Sequence, residues 1–182
     1  MVLFADAVHP THAVRPVGCW APKETPIAVE QTSGRLNIQG AIDLETGQTQ
    51  MLNVPTAHAV STIQLLIVLT AMYPNKRLIH LFLDNARYHH AKLVQEWLNQ
   101  SGCRIKLHFI PAYCPHLDPI ERLWGLMHKH ITHNTRHATF KQFSEAVLTF
   151  LREEVPRKWQ TYCDEVTDNF RIIDPEDFRV LA

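Results

Sequence analysis

Three short apolar runs, separated by longer patterned segments, constrain the fold of this chain more than any other feature. They span 2–9, 78–84 and 105–110, and each is too short for a buried helix, so we predict a buried β-strand at each position. Alternating apolar residues over 36–44 and 49–54, on either side of a turn at Glu45–Gln48, predict a β-hairpin. Helical segments are expected over 57–73 and 89–100. This order of elements predicts a mixed α/β sheet with helices on its faces.

Apolar stripes at helical spacing predict further helices after position 118, and a weaker one after Pro156. The stripes consist of Ile120, Leu123, Trp124, Met127 and Ile131, and then of Phe140, Phe143, Val147, Phe150 and Leu151. In the helix over 89–100 the predicted buried face carries Leu93, Val94, Trp97 and Leu98. We predict a core over 1–134 and a helical extension of the same domain over 135–182.

The composition excludes several classes of protein. Of 182 residues, 18 are Lys or Arg and 18 are Asp or Glu, so bulk electrostatic attraction to nucleic acid is excluded and any DNA contact must be local. The longest apolar run, around Leu65–Leu69, is too short to span a bilayer, and the N-terminus has no signal-peptide pattern. We therefore expect a cytoplasmic protein with no membrane partner. The four cysteines lack the spacing of a zinc site or a disulfide framework.

Asp6 is the residue that the apolar pattern explains least, because it lies inside the first strand run. Burying an ionised carboxylate costs several kcal/mol unless a compensating charge is present. A metal cation is one such compensation. Two alternatives remain open: a position at a frayed strand edge, and an ion pair with an arginine such as Arg15.

Two further acids have both a local and a functional interpretation. Asp84 ends the second apolar run, where it could cap the next helix or contribute to a site at the carboxyl end of a strand. Glu121 follows Asp118 by three residues with Pro119 between them, which is typical of a capping box. Glu121 also lies opposite most of the apolar stripe, on a face shared with Gly125, His128 and Thr132. A glycine there would let a bulky partner such as a nucleic-acid backbone come close.

Taken together, three segments carry a family resemblance: FADAVHPTH around Asp6, LFLDNARYHHA around Asp84 and AYCPHLDPIERLW around Glu121. They resemble the DDE transposases of bacterial insertion sequences, in the mariner-like superfamily, from Asp6 to about Phe150. The resemblance implies a ribonuclease-H-like fold, a mixed five-stranded sheet flanked by helices. It makes Asp6 the first catalytic acid, Asp84 the second on a neighbouring strand, and Glu121 the third at the start of a helix.

The resemblance also implies that these three acids bind Mg²⁺, for which Mn²⁺ can substitute. Two divalent cations about 3.5–4 Å apart can activate an attacking oxygen and stabilise a leaving one. The implied reaction is DNA strand cleavage that frees a 3′-hydroxyl at the element end, followed by transfer of that end to target DNA. Without metal, clustered carboxylates repel and at least one pKa should rise. The family often has Asn at the position of Asp118, which we interpret as a helix cap.

Candidates for DNA contacts lie close to the acids: Arg87, His89, His128 and Lys129. The first two could touch a phosphate, although the sequence favours an exposed first helical turn at this position. His128 is either near the scissile phosphate or merely solvated, and Lys129 belongs either to a phosphate-contacting patch or to an ordinary charged surface. Trp20, in an irregular proline-rich arm over 10–35, could stack on a base or pack on the core.

Transposases of this type carry helix-turn-helix modules before the catalytic domain, and Asp6 lies almost at the start of this sequence. The expected partners are therefore the DNA of element ends and target, a second copy in a homodimer, and a separate DNA-binding N-terminal transposase part. Bound to DNA, the bacterial protein would be associated with the nucleoid. Two alternatives stay open: a catalytically inactive truncated fragment with a binding or regulatory role, and a related hydrolytic nuclease.

Overall fold

A mixed sheet forms the centre of the computed structural model, which describes residues 1–15, 17–18, 34–111 and 117–168. Its five strands lie in the order β3-β2-β1-β4-β5. They are Val2–Val8 (β1), Ile38–Ile42 (β2), Thr49–Asn53 (β3), Ile79–Leu83 (β4) and Ile105–Phe109 (β5). The hairpin β2–β3 and the pair β1–β2 are antiparallel, whereas β1, β4 and β5 run parallel. The predicted mixed α/β sheet is confirmed, and β1 is its central strand.

Helices flank this sheet on both faces. Within the described ranges they are Ala59–Met72 (α1), Lys92–Leu98 (α2), Pro119–Met127 (α3), Phe140–Thr149 (α4), Val155–Arg157 (α5) and Trp159–Thr167 (α6). A 3-10 turn, Arg87–His90, precedes α2, and π turns follow α3 over His128–Thr132 and α4 over Phe150–Glu154. None of these helices has both the length and the apolar character that a membrane crossing requires.

The sheet separates two apolar clusters. One face is covered by α1 and α2, and its buried side chains include Leu3, Leu65, Leu81 and Val94. The other face is covered by α3, α4 and α6, and its buried side chains include Ile38, Met51, Trp124, Phe143 and Trp159. Residues after 134 therefore share a core with β2 and β3. The division of the chain at 134 stays a prediction.

Two apolar side chains are more exposed than their helical patterns predict. Leu93 is 48% exposed, because α2 begins only at Lys92, and Val94 is the side chain that the first turn of α2 buries. Phe140 is 39% exposed at the first position of α4, whereas Phe143 in the same helix is buried. Both residues lie in a first helical turn, where the helix has not yet come fully over the sheet.

Thr132 is the residue near the Glu121 helix whose exposure differs most from the sequence prediction. The sequence places it on the exposed face, yet it is 1% exposed, because a π turn after α3 changes the direction of the following side chains. The arm over 10–35 is described only at its ends, where Thr11 bridges to Arg35 and Arg15 bridges to His133. Trp20 lies outside the described residues.

Candidate active site

Asp6, Asp84 and Glu121 come together at the end of the sheet where the parallel strands β1 and β4 have their carboxyl ends. Ala5 of β1 lies opposite Leu83 of β4. Asp6, near the carboxyl end of β1, therefore lies beside Asp84, the first residue after β4. Glu121 lies in the first turn of α3. Burial is the main cause that raises the pKa of Asp6, and the charges of Glu121 and Asp84 add to it, as expected if both carboxylates lie near Asp6. Their convergence agrees with the sequence pattern, and their catalytic role stays a prediction.

Asp6 is held by an indole from the opposite helix. Trp124 Nε1 donates to Asp6 Oδ2 at 2.9 Å. Gly40 pairs with Asp6 across β1 and β2, and a Cβ there would collide with Met51 Sδ and lie 3.2 Å from Trp124 Cη2. The glycine thus lets the indole lie close to the sheet. β1 is the central strand, and Trp124 supplies a hydrogen bond to Asp6. The presence of a carboxylate in this strand is therefore explained neither by a frayed sheet edge nor by an ion pair with Arg15.

Burial is the main cause of the raised pKa of Asp6. It raises the pKa of Asp6 to about 6, while the hydrogen bond from Trp124 lowers it in part. The sequence places Trp124 in an apolar stripe and gives no indication of this contact. An indole N–H in a buried stripe does require an acceptor, and that requirement was the available clue.

Asp84 is fixed by His89, which is itself buried. The Asp84 side chain is 51% exposed, and its Oδ1 lies 3.2 Å from His89 Nε2 and accepts from Ala86 N at 3.3 Å. The His89 hydrogen bond is the largest cause that lowers the pKa of Asp84. The N-cap of the following 3-10 turn is Ala86, so Asp84 does not cap it. His89 is 3% exposed and faces Asp84, so a DNA contact would require its imidazole to leave this position.

Asp118 is a fourth acid at the site. Its side chain caps α3 by accepting from Ile120 N at 3.3 Å, which confirms the predicted cap. It is also 4% exposed, and burial, followed by the charge of Asp6, raises its pKa to about 8. Capping is a local property that sequence spacing reveals, whereas the approach of Asp118 to Asp6 depends on how α3 packs over β1.

Asp118→Asn is expected to flatten the pH dependence of the free energy of unfolding. The native pKa of Asp118 is raised from 3.8, so its contribution is fully present below about pH 4 and is lost as the pH rises towards 8. One such group changes stability by at most ~1.4 kcal/mol per pH unit. Asn keeps the capping oxygen without the charge, so the variant should gain stability at pH 8 relative to the wild type.

Urea unfolding in EDTA at pH 5 and pH 8 measures this effect. Asp164→Asn, which removes an exposed acid of α6, is the matched control and should keep the wild-type profile. An Asp118→Asn profile as steep as that of the wild type would contradict the prediction.

The other candidates for DNA contacts occupy different surroundings. Arg87 is exposed in the 3-10 turn. His128 is half-buried, its Nδ1 lies 3.0 Å from Thr132 Oγ1, and burial lowers its pKa to about 4, so its imidazole is neutral at pH 7. Lys129 is exposed and forms an ion pair with Glu165 at 2.9 Å. On the same helix Gly125 is exposed, and a Cβ there would meet open space.

The acids offer the oxygen ligands that Mg²⁺ prefers. Burial and mutual repulsion raise the pKa of both Asp6 and Asp118, and a divalent cation would relieve that repulsion. Within the described ranges, no three His, Cys, Asp or Glu side chains lie close enough to hold one ion as they stand. The donor chemistry therefore fits a divalent cation, although the described side chains do not by themselves form a complete ligand set.

Solved structures with a similar fold include a transposon strand transfer complex and a viral intasome. The Mos1 strand transfer complex matches with a TM-score of 0.61 and 16% identity over 95% of this chain and 56% of that chain. A simian T-cell lymphotropic virus intasome matches with a TM-score of 0.53 and 16% identity over 81% of this chain and 47% of that chain. These likenesses show the fold and confirm the predicted ribonuclease-H-like sheet with flanking helices.

Sequence comparisons place the chain in a family. It is 28% identical over 119 residues to the insertion element IS630 uncharacterized 39 kDa protein of Shigella sonnei, covering 65% of this chain and 34% of that protein. The chain thus spans about a third of the curated relative that it matches. A family model described as DDE superfamily endonuclease matches residues 1–144, a range that contains Asp6, Asp84 and Glu121. Because that match covers most of the sequence, the chain belongs to the DDE superfamily endonucleases.

Proposed function

We propose that this chain is the catalytic part of an insertion-sequence transposase, which cleaves a DNA strand and transfers the freed 3′-hydroxyl end to target DNA. The proposal rests on one observation: Asp6, Asp84 and Glu121 lie near one another at the carboxyl ends of β1 and β4, in a chain that belongs to this family. The site lies where open α/β sheets place their ligands. The relation to an insertion-element protein and the Mos1 fold support the same conclusion.

Divalent cations, Mg²⁺ or Mn²⁺, would be held by Asp6, Asp84 and Glu121, and would neutralise the charge that develops on the phosphate. Mos1 paired-end complexes have been solved with Mn and with Mg. Within this chain, Trp124 fixes one oxygen of Asp6 and His89 fixes one oxygen of Asp84. The bonds from His89 and Ala86 both fall on Oδ1 of Asp84, so its Oδ2 is left for another ligand. Glu121, on the exposed face of α3, supplies the third carboxylate.

DNA would approach along the face of α3 that carries Glu121. Gly125 leaves open space one turn after Glu121, so a phosphate backbone can lie close to the helix there. Exposed Arg87, and Lys129 once released from Glu165, are candidate phosphate contacts, and neutral His128 could donate to a phosphate oxygen in the tautomer that carries its proton on Nε2. These contacts position DNA without reading its sequence, which we assign to a separate N-terminal DNA-binding part of the transposase.

The proposed partners are element-end and target DNA, together with a second copy of the catalytic part, because two ends have to be joined. The place of action would be the bacterial chromosome in the nucleoid. Two competing functions make different use of the same surface. A hydrolytic nuclease would use water for every step, and an inactive fragment would bind DNA or a transposase without cleaving.

A strand-transfer assay separates these functions. The chain is mixed with Mn²⁺, a labelled duplex bearing a free 3′-hydroxyl and a supercoiled plasmid. Joining of label to plasmid supports the transposase, whereas nicking without joined label supports the hydrolytic nuclease. Neither product at high protein concentration would overturn the proposal and favour the inactive fragment. EDTA is the control for metal dependence.

A further inference from the structure

We propose that Gln39, Thr62 and His89 form a buried positioning relay that fixes Asp84, and that loss of the relay weakens metal binding by this acid. The inference rests on the proposed function only in taking Asp84 as a metal ligand. The relay joins three elements, since Gln39 lies in β2, Thr62 in α1 and His89 in the 3-10 turn after β4.

A continuous series of polar contacts leads from Gln39 to Asp84. Gln39 Nε2 donates to Thr62 Oγ1 at 3.1 Å, and Thr62 Oγ1 lies 3.4 Å from His89 Nδ1. His89 Nε2 then lies 3.2 Å from Asp84 Oδ1. The three relay residues are 2%, 1% and 3% exposed, so water is largely excluded from these contacts.

The chemistry of the groups fixes the direction of the final contact. A carboxylate without a proton only accepts, so His89 has to present Nε2–H to Asp84. The Thr62 hydroxyl also lies 3.1 Å from the carbonyl oxygen of His58, so its single proton serves either that oxygen or His89 Nδ1. A neutral ring that carries its proton on Nε2 can only accept at Nδ1, so the relay requires the arrangement in which Thr62 donates to Nδ1 while Gln39 donates to Thr62 Oγ1.

A buried Gln39 side chain is energetically unfavourable if its only role is to fill space. Gln39 Oε1 is buried without a hydrogen-bond partner among the described residues. An unsatisfied buried polar group costs about 1–3 kcal/mol, which an apolar side chain at this position would avoid. The amide nevertheless turns its NH₂ group towards Thr62, and that orientation is the one that supports His89.

Asp84 needs such support because it lies just beyond the last paired residue of β4. Leu83 is in register with Phe109 and Ala5, whereas Asp84 follows in a half-exposed position outside the strand pairing. Bonds from His89 and Ala86 occupy Oδ1 and leave Oδ2 free of them. Residues behind a metal ligand that orient it in this way typically change metal affinity by about 10–100-fold when they are removed.

The test compares threonine variants of α1. Thr62→Val removes the relay hydroxyl at nearly constant volume, and Thr62→Ser restores it. Thr70→Val is the matched control, because its hydroxyl also donates to the carbonyl four residues earlier, that of Leu66, and has no link to Asp84. Thermal unfolding of all three proteins checks that the fold is kept.

Two readouts are measured on the whole chain. Nitrogen-15 NMR of the His89 ring, assigned with His89→Gln, reports whether Nε2 carries a slowly exchanging proton without any metal. Mn²⁺ binding by calorimetry reports the ligand set. We expect Thr62→Val to speed exchange of the Nε2 proton and to weaken Mn²⁺ binding by about 10-fold. Thr62→Ser and Thr70→Val should remain within about twofold of the wild type, well short of that loss.

The outcomes separate the relay from the metal site. A wild-type ring without a proton on Nε2, or a Thr62→Val ring indistinguishable from the wild type, overturns the relay. Unchanged Mn²⁺ affinity in Thr62→Val also overturns it. Failure of the wild type to bind Mn²⁺ instead counts against the proposed metal site, and the ring measurement then still decides whether the relay exists.

Discussion

Asp6→Asn is expected to abolish metal-dependent strand cleavage while making the protein more stable at neutral pH. Charge stabilisation by bound metal contributes several kcal/mol, so losing a central ligand should lower the cleavage rate by roughly 1,000-fold or more. Stability should move the other way. Burial raises the pKa of Asp6 to about 6, so the ionised carboxylate costs stability above that pH, and the neutral amide removes this cost.

Cleavage and stability are expected to change in opposite directions, so partial unfolding of the variant cannot produce the predicted result. A variant that merely unfolds loses cleavage and stability together. Asn can still accept the hydrogen bond from Trp124 Nε1, so the surrounding packing has no reason to change. Plasmid nicking in Mn²⁺ and urea unfolding at pH 8 give the two quantities, with Asp164→Asn as control. Retained cleavage by Asp6→Asn would remove this acid from the catalytic set.

Trp124 is expected to contribute to both the fold and the site, and two substitutions separate these effects. The indole is 4% exposed and belongs to the cluster shared by α3, α4 and α6. Trp124→Ala should lower the free energy of unfolding by about 3–5 kcal/mol, because it opens a large cavity. That loss is a substantial part of the ~5–15 kcal/mol that stabilises a typical domain.

Trp124→Phe keeps most of this packing but removes the donor to Asp6. A hydrogen bond to a charged group contributes about 1.5–3 kcal/mol, and without it less of Asp6 is ionised at pH 7, so cleavage at that pH should fall by about 2- to 15-fold. That bond also lowers the pKa of Asp6, so without it the pKa rises further and the defect should be larger at pH 6.5 than at pH 8.5.

Plasmid nicking over this pH range measures the effect of the lost donor. Trp97→Phe is the matched control, since Trp97 packs on the opposite face of the sheet. A defect in Trp124→Phe that is the same at every pH would show that the indole N–H does not tune Asp6.

The strands and the position of the acids follow from the sequence because they depend on local patterns. Apolar runs identify β1 and β4, and an acid within or just after such a run is visible without knowing its neighbours. Asp118 and Pro119 mark the start of α3 for the same reason. The family resemblance then assigns the three acids, and the fold brings them to one edge of the sheet.

The supporting contacts do not follow from the sequence, because they join residues far apart in the chain. Trp124 and Asp6 are separated by 118 positions, and Thr62 and His89 by 27. A periodic pattern reports that a side chain is buried but not which atom it faces. His89 illustrates the limit: its place shortly after Asp84 predicts an exposed first helical turn, whereas the 3-10 turn buries its ring.

The central position of β1 gives the three acids unequal backbone restraint. Asp6 is paired with Gly40, and its neighbour Ala5 is paired with Leu83, so the amides around it can exchange with solvent only when the sheet opens as a whole. Asp84 lies beyond its strand and Glu121 in a first helical turn, where local opening suffices. The backbone of Asp6 is thus held by strand pairing, whereas Asp84 is held through the bonds of its side chain to His89 and Ala86, and Glu121 by the first turn of α3. In the reaction that we propose, Asp6 would keep its position, while the backbone beyond β4 and at the start of α3 could shift with a phosphate that moves between cleavage and joining.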